Sequence, residues 1–216
     1  MWTGGDYLGD SATAPDRYMD RKTKKELDSG LIISSGAGVI DICGKQRPET
    51  GWNKLIWGLE CKPVIGVSPY THATHFKSKR MWRRADTIAS WSWEGCEGAR
   101  ADVTVYSAAP LVELLCNGKS LGKQKTKEYT AVFPRIPYQA GTLEAVSLSA
   151  DGKEQARSRL RSATGMTKIQ LMPETTALRA NGQNLCFLNI DLVGENGVTK
   201  SSVDQALTVK VSVPAQ

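Results

Sequence analysis

Val112-Glu113-Leu114-Leu115-Cys116-Asn117-Gly118-Lys119-Ser120-Leu121-Gly122 is the stretch that decides the fold class of this chain. A strand-like apolar run leads into Asn-Gly, the strongest short-range hairpin signal, because a type I′ turn needs positive φ at both central residues and Asn and Gly tolerate it best. Residues 111–123 are therefore predicted to form a β-hairpin. Working outward, residues 101–106 alternate apolar and polar ahead of it. Behind it lie strand patterns at 130–135, 142–148 and 155–160, with Asp151-Gly152 turning between the last two. Short strands with a turn signal every ten residues or so predict an antiparallel sandwich of the immunoglobulin type, filling residues 86–172.

Pro173 punctuates the pattern, and a second strand series follows at 177–180, 185–193 and 206–213. Only about 43 residues remain, against ~100 for a complete sandwich. The expectation for 173–216 is a truncated second immunoglobulin-like domain. Residues 1–85 read differently: Gly-rich loops mix with short apolar runs such as Leu31-Ile32-Ile33 and Pro63-Val64-Ile65-Gly66-Val67, and the one helical pattern falls near 51–59. This part is not expected to be a self-contained domain.

Composition bounds the rest. The chain is 40% apolar and 23% charged, which is the profile of a folded globular protein and excludes disorder as its main state. No run approaches the ~18 apolar residues of a membrane-spanning helix, and Met1-Trp2-Thr3-Gly4-Gly5-Asp6 is not a signal peptide, so neither a membrane partner nor a leader is expected. The net charge of +6 comes chiefly from Arg21, Lys22, Lys24 and Lys25 and from Lys77-Ser78-Lys79-Arg80-Met81-Trp82-Arg83-Arg84. A basic run with an aromatic in it can grip phosphates and bases. A solvated or interdomain face is the preferred reading, and no nucleic-acid partner is expected.

Five widely spaced cysteines, Cys43, Cys61, Cys96, Cys116 and Cys186, contain no C-x-x-C pair and are odd in number. Reduced thiols fit better than a disulfide framework and lean towards a cytoplasmic setting, with the compartment left open. Cys61 with His72 and His75 offers three metal ligands, but structural zinc takes four in tighter pairs, so no metal and no cofactor are expected. Gly118-Lys119-Ser120 lacks the earlier glycine of a phosphate loop, since position 113 is Glu113. Gly36 and Gly38 lack the third glycine of a dinucleotide fingerprint, since position 41 is Asp41. Glu94 and Glu97 stand near each other in sequence, as acid–base carboxylates do, but they lie in a loop entering a strand. Trp91 and Trp93, at alternate positions, would share one face of a strand, either as a sugar-stacking platform or, preferred, as the plug of an interdomain seam.

Four motifs occur in order: Met1-Trp2-Thr3-Gly4-Gly5-Asp6-Tyr7-Leu8-Gly9, Ser34-Ser35-Gly36-Ala37-Gly38-Val39-Ile40-Asp41-Ile42-Cys43-Gly44, Ser90-Trp91-Ser92-Trp93-Glu94-Gly95, and the hairpin quoted above. Together they resemble the β-galactosidase-like branch of glycoside hydrolase family 2. The resemblance implies that 1–85 is the end of a catalytic (β/α)8 barrel and its following segment, with the immunoglobulin-like domains behind it. It further implies a retaining glycosidase whose two glutamates lie on earlier barrel strands, so that no residue of this chain is catalytic and the chain alone is inert. By the same resemblance Trp2 sits at the mouth of the barrel, where its indole suits a sugar ring, and Asp6 accepts hydroxyl hydrogen bonds. Core packing for Trp2 and structural hydrogen bonding for Asp6 remain the alternatives. The implied partner is a β-galactoside or related glycoside. A stand-alone module binding carbohydrate or protein is the rival reading, and a homodimer is expected to be possible through unpaired strand edges.

Overall fold

The structure, a computed structural model, describes residues 39–40, 44–70, 87–179, 181–203 and 205–210. The first regular element is helix α1, Pro48–Ile56. Pro48 and Glu49 occupy its first turn and Lys54 its last, each on the side the helix dipole favours. It ends in a Schellman motif: Gly58 takes φ 67°, and the amides of Gly58 and Leu59 reach back to the carbonyls of Leu55 and Lys54. The helix predicted near 51–59 thus exists, shifted about one turn towards the N-terminus by the proline that starts it and the glycine that stops it.

Strands β1 (Val64–Val67), β2 (Arg100–Tyr106) and β5 (Thr130–Pro137) form one antiparallel sheet in the order β1-β2-β5. Strands β3 (Leu111–Cys116), β4 (Lys119–Lys125), β6 (Thr142–Leu148) and β7 (Glu154–Arg161) form the other, in the order β4-β3-β6-β7. Seven strands in two antiparallel sheets make the predicted immunoglobulin-like sandwich. The inner rows follow from the pleat. Ile65 faces Val105, and Val67 faces Val103, which in turn faces Phe133. From the other sheet come Val112, Leu114 and Cys116, opposite Ser147, Ala145 and Leu143. All are buried. The hydroxyls of Ser107 and Ser147 satisfy each other at 2.7 Å inside this core.

The three-stranded sheet takes its edge strand β1 from a position N-terminal to residue 85, where the change in composition falls. Helix α1 packs on the same sheet, against β1 and β2. Gly51 allows the close approach, since a Cβ there would lie 2.5 Å from the Val64 side chain. The indole of Trp52 donates to the Glu128 carbonyl at 2.9 Å and pins the helix to the turn before β5. The described part of the region not expected to be a self-contained domain, helix α1 with strand β1, thus packs on the sandwich.

At the Asn117-Gly118 turn φ is 50° and 79°, the pattern predicted for it. Beyond the sandwich a third, two-stranded sheet pairs β8 (Lys168–Pro173) with β9 (Leu188–Val193). The second strand series therefore begins ahead of Pro173, not behind it. Two expected strands are corrected: residues 177–179 form none, and Gln205–Lys210 are exposed without strand pairing. A strand pattern becomes a strand only where an edge is available to pair with it.

Candidate functional site

The Ser90-Trp91-Ser92-Trp93-Glu94 segment has two sides with different chemistry. Its indoles point inward. Trp91 and Trp93 are both fully buried, and the segment is not a β-strand. Tyr70 and Tyr138 complete a four-ring cluster with centroids 5.2–6.0 Å apart, tilted or edge-on, the arrangement that aromatic quadrupoles favour. Each polar tip finds a partner. Trp91 Nε1 donates to the Gln139 carbonyl at 2.9 Å, Trp93 Nε1 to that of Ser90 at 3.3 Å, and Tyr70 to that of Ile136 at 3.0 Å. The Tyr138 hydroxyl accepts the Trp93 amide at 3.1 Å. Burial, then the neighbouring Cys116, Tyr138 and Cys96, pushes the Tyr70 phenol well above its usual range, so that phenol stays neutral. Burial also raises the thiols of Cys96 and Cys116.

An indole with no exposed face cannot stack on a sugar, so the platform reading of Trp91 and Trp93 is overturned. We predict that a variant keeping these two tryptophans, with Trp2, Trp52, Trp57 and Trp82 changed to Phe, emits in the blue and is unmoved by added galactosides. Sugar-dependent quenching in that variant would contradict the burial.

The outward side of the segment holds a seam. The Ser162 hydroxyl donates to the Trp91 carbonyl, and Ser92 Oγ accepts the Ala163 amide at 3.1 Å. The loop that follows β9 then docks onto this surface. Asn196 Nδ2 donates to the Ser162 carbonyl at 2.9 Å, Ser201 Oγ to Ser90 Oγ at 2.6 Å, and Ser202 Oγ to the Glu94 carbonyl at 3.1 Å. Lys200 is central: its side chain is 7% exposed, and its ammonium donates to the Gly165 carbonyl at 2.8 Å and to Glu94 Oε2 at 3.1 Å. A buried ammonium needs such partners, because leaving it unpaired costs several kcal/mol, on the order of 3–5. Glu94 is thus engaged by Lys200, while Glu97 is exposed. The side-chain partner the structure gives Glu94, 67% exposed, is Lys200 and not Glu97.

Trp91 and Trp93 therefore fill the core of the sandwich, and it is the backbone and serines around them that meet the seam. Lys200 escaped the sequence reading. Asn196-Gly197 signals a turn, and the structure returns the chain there so that Thr199 bridges Val193. Nothing in the sequence says that the next residue lands on Glu94.

Trp2 and Asp6 lie outside the described residues, as do Cys43, His72, His75 and Lys77–Arg84. Among the described residues the four cysteines are free thiols, with Cys61 exposed and Cys116 buried. No group of three or more His, Cys, Asp and Glu is placed among them to hold a metal. No helix among them is long and apolar enough to cross a membrane.

Residues 98–156 match a family model described as a domain of unknown function, DUF4982. The chain is 26% identical over 198 residues to the β-galactosidase BoGH2A of Bacteroides ovatus, a match covering 91% of this chain and 19% of that protein. It is 28% identical over 173 residues to a protein of Formosa agariphila that carries a provisional β-glucuronidase name, covering 78% of this chain and 13% of that one. Among solved structures, a glycosyl hydrolase family 2 member from Bacteroides cellulosilyticus superposes with a TM-score of 0.64 at 31% identity, over 76% of this chain and 22% of that one. The chain thus spans a fifth or less of the curated relatives it matches. The four ordered motifs and these matches agree, and the chain is related to glycoside hydrolase family 2 over a segment that makes up a minor part of such proteins.

Proposed function

We propose that this chain is the non-catalytic, C-terminal portion of a retaining glycoside hydrolase that removes terminal β-glycosides. The observation that carries the reading is how the sandwich uses its candidate residues. Its tryptophans are core, and Glu94 is part of a seam. The relatives, several times longer, supply the enzymatic class. In the complete protein two glutamates ~5–5.5 Å apart act as acid/base and nucleophile. Both precede residue 1 of this sequence. Trp2 and Asp6 border the sugar pocket, the indole against the C–H face of the ring and the carboxylate on its hydroxyls.

Relatives carrying β-galactosidase and β-glucuronidase names make both sugars substrates to assay. The test is to read and express the protein that extends N-terminally from this sequence. An Asn-Glu pair closing one barrel strand, a second strand-end glutamate further on, and loss of hydrolysis when either is changed to Gln are the expected results. A protein without those glutamates, or one binding sugar without cleaving it, would replace this reading with that of a binding module.

A further inference from the structure

The β8–β9 sheet has no core of its own. An isolated pair of strands is marginal at best in water, because it buries too little apolar surface to offset the ordering of its backbone. Here the register sets Ile169 beside Leu192, Leu171 beside Ile190 and Pro173 beside Leu188 on one face. That apolar face is turned outward: Ile169, Leu171 and Leu188 stand 58%, 56% and 47% exposed. All six residues of β8 are exposed, and Val193, at the end of β9, is the buried residue of the pair. The opposite face carries Asp191, whose bridge to Lys45 at 3.1 Å involves a half-exposed ammonium and contributes little.

What orders the sheet is therefore the loop that follows it. The Lys200 amide bonds the Leu192 carbonyl and the Gly194 amide the Val198 carbonyl, both at 2.9 Å, which ties the loop to β9. On its other side the loop holds the connection after β7. The Glu195 amide donates to the Thr164 carbonyl at 2.7 Å, and Asn196 Oδ1 accepts the Thr164 amide at 3.2 Å. The approach is close enough that a Cβ on Gly194 would lie 2.5 Å from the Thr164 carbonyl oxygen. Lys200 then closes the seam, with its buried ammonium on Gly165 and Glu94. The dependence runs one way. The sandwich core runs from Ile65 to Ala145, with Leu160 packed against it, and among the described residues nothing from 168–202 belongs to it.

We propose that residues 168–202 fold only when docked: the seam is a latch centred on Lys200, and when it opens the β8–β9 sheet comes apart while the sandwich stays folded. Folding and docking of this unit are then one event, and its orientation on the sandwich is fixed whenever it is folded. This stands independently of the glycosidase reading. The test is amide hydrogen exchange read by mass spectrometry on the 216-residue chain, in wild type and two variants that attack the latch differently. Lys200→Met keeps the aliphatic stem and removes the ammonium. Gly194→Ala leaves Lys200 in place and drives a methyl group into the Thr164 backbone. In wild type, peptides covering 168–173 and 188–193 should be protected. In each variant their protection should fall by about 100-fold or more, while peptides from β2, β3 and β6 keep theirs. Those sandwich peptides report on the variant's own folding. Wild-type β8 and β9 exchanging like open chain would overturn the proposal, as would protection of these strands surviving in either variant. Equal loss from the sandwich strands would also overturn it, by showing that the chain unfolds as one block.

Discussion

Changing Trp93 to Ala is expected to lower the stability of this chain by about 3–5 kcal/mol, the range for emptying a large aromatic site in a packed core. The indole is fully buried, lies 5.7 Å from Tyr70 between ring centroids, and its own amide is bonded by Tyr138. Domains have only about 5–15 kcal/mol in all, so much of the variant population should be unfolded at ambient temperature. Trp93→Phe keeps most of the volume and gives up the 3.3 Å bond to Ser90, and it should cost distinctly less. Urea midpoints with near-ultraviolet circular dichroism make the comparison. A Trp93→Ala loss below about 1 kcal/mol would mean that the ring is not core and would reopen the sugar-platform reading.

The second large effect is expected at Gly141, where the β5–β6 connection meets the hairpin turn. Gly141 has φ 132°, and a Cβ placed there would lie 2.0 Å from Asn117 Oδ1. That side chain is not free to retreat. Its Nδ2 donates to the Ala140 carbonyl at 3.0 Å, and its Oδ1 accepts the Thr142 amide at 2.8 Å. Gly141 also ties β7 in, since its carbonyl accepts the Ser162 amide at 2.8 Å. Gly141→Ala should therefore combine backbone strain with loss of the Asn117 clamp, about 3 kcal/mol together. A double-mutant cycle with Asn117→Ala identifies the cause: the two losses should be clearly less than additive, because removing the amide removes the clash. Strict additivity would show that Asn117 is not what Gly141 accommodates.

The same two positions show what the sequence makes legible. Asn117-Gly118 announces its hairpin because the turn chemistry is local, and the alternation of β3 and β6 places Leu114 and Leu143 inside for the same reason. Pairing over distance leaves no such mark. That β1 joins β2 across more than thirty residues follows from which edge was open, not from anything in Val64–Val67. The turn before β5 is similarly silent: Glu128 and Tyr129 take φ 48° and 62° without the Asn or Gly that usually signals it. For the site, the Trp91/Trp93 pair was visible as important, but its alternation belongs equally to a surface and to a core. Only the positions of Tyr70 and Tyr138 decide between them. Lys200 was invisible because its partner, Glu94, lies more than a hundred residues away.

The central claim, that this chain contributes structure and not chemistry to a glycosidase, is met most directly by one assay. The purified 216-residue chain is incubated with chromogenic β-galactoside and β-glucuronide alongside the longer protein proposed to contain it. The account predicts release of chromophore by the longer protein and none above background by the chain. Turnover by the chain that scales with its concentration and persists through repurification would contradict it, and would place an acid and a nucleophile within these 216 residues.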